Sequence, residues 1–139
     1  MSNFDVGDME ELVAIPGGTA VATDQVLYNL TRRGIDVNLL PWCRQRKIPV
    51  TAYSPIEHGR LLKKRALARV AARLDATPAQ IALAWVLRHP DVIAIPKASA
   101  FEHVRENRGA LEIRLTHADL AELDRAFPTP AKPVPLEMI

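Results

Sequence analysis

The sequence predicts an α/β fold with about three parallel strands and flanking helices, and three observations predict it. Short β-rich apolar runs recur at residues 21–27, 48–53 and 92–95. Segments with helical periodicity separate each run from the next, which leaves room for the right-handed crossovers that parallel strands require. Two helix starts carry a reciprocal capping signature, Thr77 with Gln80 and Ser99 with Glu102.

Each element has its own warrant. Residues 5–13 read as a short helix with Asp5 at its cap and Met9, Leu12 and Val13 on one face; Pro16-Gly17-Gly18 breaks it. The first strand follows at 21–27, then a polar segment at 29–34 and a helix at about 38–46, where Pro41 fits only in the first turn. The second strand at 48–53 ends in Ser54-Pro55, and 61–74 reads as one amphipathic helix. Thr77 and Pro78 open the next helix, and His89-Pro90 closes it, because a residue before proline is pushed out of the α region. Val92 to Ile95 is apolar throughout, the pattern of a strand buried on both faces. A helix then runs from Ser99 to a Gly109 C-cap, and Thr116 caps a last helix carrying Leu120, Leu123 and Phe127 inward until Pro128 stops it. The proline-rich tail from Thr129 reads as extended.

Composition narrows the function classes. One domain with a real core fits 139 residues, and 48% hydrophobic with 24% charged content is ordinary for a globular protein. A net charge of +2 gives no global signal for nucleic acid. The densest basic run, Lys63-Lys64-Arg65 with Arg69 and Arg73, alternates with Leu67, Val70 and Leu74 and reads as a solvated helix face. A single cysteine, Cys43, excludes an internal disulfide framework, and no apolar run nears the roughly 18 residues of a membrane span. The acidic start MSNFDVGDMEEL lacks a signal-peptide pattern, so the expected location is the cytoplasm, with no membrane and no nucleic-acid partner.

In parallel α/β folds, ligand-facing groups gather at the C-terminal ends of strands. Three such ends are read here: Asp24-Gln25, Tyr53-Ser54-Pro55 and Pro96-Lys97. They offer an amide, an aromatic face, hydroxyls and one cation, a set that holds a planar phosphorylated ligand better than it makes or breaks bonds. Lys97, between a strand and a helix N-terminus, is placed for phosphate. The histidines at 58, 89, 103 and 117 lack metal-ligand spacing, and Cys43 has no adjacent base.

The segments SNF, DQVLYNL, LLPWCRQRKIPVTAYSPI, TPAQIALAWVLRHP and VIAIPKAS with HVREN, in that order, resemble the C-terminal part of a bacterial aldo-keto reductase. The resemblance covers nearly the whole chain. It implies a partial (β/α)8 TIM barrel, residues 1–139 forming the C-terminal part of the domain without its first five strands. It also implies NADP(H)-dependent reduction of carbonyl compounds by the family. By resemblance, Ser2, Asn3 and Gln25 hold the nicotinamide carboxamide, Tyr53 stacks on the ring, and Ser54 and Ile56 lie beside the pyrophosphate. Lys97, Ser99 and His103 surround the adenosine 2′-phosphate, and Glu106 and Asn107 contact adenine. Many members carry arginine where this chain has His103, which leaves NAD(H) open beside NADP(H). Asp24 stands where asparagine is usual.

The family's catalytic aspartate, tyrosine, lysine and histidine come from the first half of the barrel, and no residue here matches them; no catalytic residue is nominated. A complete barrel takes about 250 residues. Three strands leave open sheet edges, so the expectation is self-association or pairing with a complementary half-barrel. The alternative to a cofactor-binding reductase half is a non-catalytic fragment or interaction module using that edge.

Overall fold

Capping chemistry sets most of the helix starts. In a computed structural model describing residues 1–139, Asp5, Thr77 and Thr116 each accept from the third backbone N–H of their helices and are answered by Asp8, Gln80 and Asp119. These boxes open α1 (Val6–Ala14), α4 (Pro78–Val86) and α6 (His117–Ala126). The remaining elements are β1 (Asp24–Leu27), α2 (Leu39–Gln45), β2 (Val50–Tyr53), α3 (Arg65–Arg73), β3 (Val92–Ala94) and α5 (Phe101–Gly109). Their order in the chain is the one the periodicity predicts.

The strands form one parallel sheet in the order β1-β2-β3. Val26 pairs with Ala52 and Ala52 with Ala94, so the register runs straight across. The sheet is open, as a partial barrel must be, and nothing pairs with the far edge of β3. Val26, Val50, Ala52 and Val92 project from one face into a single core with Trp42, Cys43, Leu67, Val70, Ile81, Trp85 and Leu123. Burying such a side chain contributes roughly 1.5–3 kcal/mol. The opposite face carries Gln25, Thr51, Tyr53 and Ile93 and is only partly covered.

Four details differ from the sequence expectation, each for a local reason. Ile93 is 51% exposed and Ile95 43%, so the third strand is buried on one face only. The segment read as one helix over 61–74 is a 3-10 stretch, Glu57–Lys63, then an extended Lys64, then α3. Ser99 does not cap α5: Ala100 occupies the cap position, one residue beyond the serine, and no side chain caps that helix. Gly109 is not a left-handed cap but the last helical residue, with φ −61°. Its lack of a side chain serves packing, since a Cβ there would meet Gln80 Nε2 at 2.6 Å.

Of the basic run, Arg65, Arg69 and Arg73 lie on the wet side of α3, where Arg69 and Arg73 pair with Glu122 and Asp119 of α6 at 2.8 and 2.6 Å. Cys43 is fully buried, and burial, followed by the charge of Asp24, pushes its thiol up to about 11. No helix is long and apolar enough to cross a membrane.

Candidate functional site

The first three residues lie alongside β1 and bring Ser2, Asn3 and Gln25 together. Ser2 forms a parallel bridge with Gln25; the Gln25 N–H donates to the Met1 carbonyl at 3.0 Å, and the Asn3 N–H to the Gln25 carbonyl at 2.8 Å. The Ser2 hydroxyl donates to the same carbonyl at 3.2 Å. Asn3 sits at φ 57°, a left-handed conformation that asparagine tolerates, and its buried Oδ1 has no hydrogen-bond partner. One expectation needs correction. Asp24 and Gln25 begin β1 and do not end it. Gln25 reaches the open face from mid-sheet by strand alternation, level with Thr51 and two residues short of Tyr53.

Asp24 points the other way. It is completely buried, neither carboxylate oxygen has a hydrogen-bond partner, and burial raises its pKa above the ordinary 3.8. An unpaired carboxylate in that position opposes folding at neutral pH.

Tyr53 is the last residue of β2, and the chain then turns sharply. Ser54, Glu57 and His58 all have positive φ, at 48°, 48° and 52°, before Gly59 at 83°. Each such non-glycine residue costs on the order of 1 kcal/mol, so its neighbours must hold the turn in place. They do so through the loop after β1. Asn29 Nδ2 donates to the Ser54 carbonyl at 3.0 Å, and Arg32 Nε donates to Glu57 Oε1 at 2.9 Å. The Thr31 hydroxyl lies 2.8 Å from Glu57 Oε2.

The same turn faces Lys97 across a cavity of about 550 Å³, lined by Ser54, Pro55, Ile56, His58, Gly59, Ile95 and Lys97. Residues separated by 40 positions in the chain therefore share one concave surface beyond the C-terminal ends of β2 and β3. Lys97 is exposed, and Ser54 Oγ is 3.4 Å from His58 Nε2. A cation, a hydroxyl and a tight backbone turn around a cavity suit an anionic ligand.

The other nominated residues lie apart from that cavity. Ser99 and His103 are exposed beside it in sequence but do not line it. Glu106 is already engaged, its carboxylate accepting the Thr77 hydroxyl and its carbonyl accepting Gln80 Nε2 at 3.1 Å. Asn107 lines a separate groove with Leu83, Ile93, Pro96 and Leu111. Sequence reasoning missed Glu57, Arg32 and Thr31; the signal available was the asparagine–threonine pair at 29 and 31, which folds into a turn capped by the Asn29 side chain.

Tyr28 is a residue of the core. It is fully buried, its hydroxyl donates to Asp36 Oδ1 at 2.6 Å and accepts from Arg88 at 3.1 Å, and burial raises its pKa above the usual tyrosine value.

Comparison with known proteins bears on the family of the chain. The model of the aldo/keto reductase family matches residues 1–127. Methylglyoxal reductase YeaE of Escherichia coli K12 is 46% identical over 144 aligned positions, covering 100% of this chain and 51% of the relative. Methylglyoxal reductase DkgB of Escherichia coli O157:H7 is 32% identical, covering 89% and 46%. The crystal structure of an aldo-keto reductase from Klebsiella pneumoniae in complex with NADPH superposes with a TM-score of 0.96 at 45% identity, over 99% of this chain and 50% of that one. The chain spans about half the length of these relatives.

Proposed function

From the chain's membership of the aldo/keto reductase family, we propose that its 139 residues form the cofactor-binding portion of an NADP(H)-dependent reductase of carbonyl compounds. The observation that carries this reading is the shared cavity of Ser54, Ile56 and Lys97 directly beyond Tyr53. Supporting it, solved relatives from Klebsiella pneumoniae at 45% identity hold NADPH, or NADP with acetate. The relatives named methylglyoxal reductase favour a small 2-oxoaldehyde as the carbonyl compound.

The residues present fit a nicotinamide dinucleotide in kind. Ser2, Asn3 and Gln25 would hold the carboxamide, and the unpartnered Oδ1 of Asn3 is free to accept from an amide. Tyr53 would stack on the ring. The 54–56 turn would present backbone N–H groups to the pyrophosphate, and Lys97 with Ser99 and His103 would meet the 2′-phosphate. Glu106 would reach adenine only by releasing Thr77, and Asn107 from its own groove. When bound, the cofactor supplies a hydride. No residue of this chain is proposed as the donor of the accompanying proton.

Titration with NADPH, followed by cofactor fluorescence, tests the reading: saturable binding weakened by Lys97→Ala supports it, and no binding at millimolar NADPH removes it. A second reading rests on the unpaired edge of β3 beside exposed Ile93 and Ile95. By it the chain is a non-catalytic module that pairs with a complementary half-barrel. Co-purification with such a half, without any NADPH binding, would favour that reading.

A further inference from the structure

We infer that Glu57 is a latch for the turn at the candidate site and that the C-terminal tail, through Glu137 and Arg32, sets how firmly the latch holds. The inference rests on the cofactor-binding reading only where ligand affinity is concerned. The turn contains three left-handed non-glycine residues, Ser54, Glu57 and His58, and such conformations persist only when surrounding contacts fix them. Within the turn the fixing bonds are few: the Glu57 N–H donates to the Ser54 carbonyl at 3.0 Å and the Gly59 N–H to the Ile56 carbonyl at 2.9 Å.

The decisive contacts come from the loop after β1. The Glu57 side chain is 10% exposed and keeps both oxygens occupied, Oε1 by Arg32 Nε and Oε2 by the Thr31 hydroxyl. Thr31 also lies 2.8 Å from Asn29 Oδ1; its one proton goes to a single acceptor at a time, and the ionised carboxylate is the stronger. Arg60 adds a distant cation at 3.9 Å. A carboxylate so placed orders the turn from its centre.

Arg32 has a second partner. Its Nη1 donates to Glu137 Oε1 at 2.6 Å, so one guanidinium spans the turn and the tail. The tail is seated by packing as well: Leu136 rests on the core, and Val134 lies so near Gly34 that a Cβ on that glycine would meet its Cγ2 at 2.8 Å. Arg32 is thus oriented by the tail on one side and orders the turn on the other. Arg32 and Glu57 are positioning residues, since Ser54, Ile56 and Lys97 line the cavity with Glu57 only bordering it in sequence.

Amide hydrogen exchange on the full chain tests this with and without NADPH. In Glu57→Gln and Arg32→Met, the turn amides of Glu57 and Gly59 should exchange about tenfold faster or more while the β1–β2 ladder stays unchanged. Glu137→Gln should give a smaller increase in the same amides, and Gly34→Ala, which displaces Val134, should reproduce it without touching any charge. NADPH affinity should fall in the same order. Unchanged exchange in the turn on loss of Glu57 or Arg32 overturns the latch. A response to Glu57→Gln but none to Glu137→Gln and Gly34→Ala overturns the role of the tail. If Glu57→Gln loosens the whole sheet, Gly34→Ala still decides between local and global loosening. If the variants give these exchange responses and the wild-type chain binds no NADPH, the latch stands and only the cofactor reading is removed.

Discussion

Arg88 lies over Trp85, its guanidinium carbon 3.6 Å from the ring centroid, and Arg33 lies against the same ring at 4.9 Å. Both arginines converge on Asp36, Arg33 by an ion pair at 2.9 Å and Arg88 more distantly at 3.9 Å, and Tyr28 closes the group by donating to that carboxylate. Arg33 also donates to Asp124 Oδ1 and the Phe127 carbonyl at the end of α6, each at 2.7 Å, so the loop after β1, the turn after α4 and the end of α6 are joined around one buried indole.

Tyr28→Phe should therefore cost stability and nothing else. It leaves an acceptor of Asp36 and a donor of Arg88 without their partner, a loss of about 1–2 kcal/mol in chemical denaturation. NADPH binding should be unchanged, because Tyr28 faces the helices and not the cavity.

Asp24→Asn should raise stability at neutral pH. Burial holds the folded-state pKa of Asp24 above its ordinary 3.8, so the folded chain keeps a proton that the unfolded chain has already released. Stability then falls as pH rises from about 3.8 through the raised folded value. The substitution should gain roughly 1–3 kcal/mol at pH 7, with the gain shrinking toward pH 3.8. Urea melts of both chains at several pH values measure this.

His89 acts in the opposite direction. Burial first, then the charges of Arg88 and Arg44, lower its pKa to about 4 from 6.5, against a weaker pull from Asp36 and Asp91. In the window between these values the unfolded chain binds the proton and the folded chain does not, so stability rises with pH from about 4 to 6.5. His89→Gln should flatten that rise.

The unpaired edge of β3 predicts self-association of the isolated chain. Sedimentation velocity should show mass increasing with concentration, and Ile93→Lys, which places a charge on the half-exposed inner face, should reduce it. A monomer at all concentrations would count against this.

Much of the fold was legible because its signals are local. Thr77-Pro78 with Gln80, and Thr116 with Asp119, are capping chemistry written in four residues, and strand–helix alternation fixes a parallel sheet. What was not legible depends on partners distant in sequence. Ile93 reads as buried from composition, yet no second layer covers its face. Gly109 reads as a cap until Gln80 of α4 is seen against it. Of the site, the residues at strand ends, Tyr53, Ser54 and Lys97, were readable from position alone. The role of Glu57 was not, because it exists only where Thr31 and Arg32 meet it.

The proposed seat of a phosphorylated nicotinamide cofactor is the Ser54–Lys97 cavity. The direct measurement is calorimetric titration of the chain and of Lys97→Ala with NADPH and NADH. NADPH should bind saturably and weaken about tenfold or more on loss of Lys97, with a smaller effect on NADH. Absence of NADPH binding, or equal binding by both chains, would contradict it.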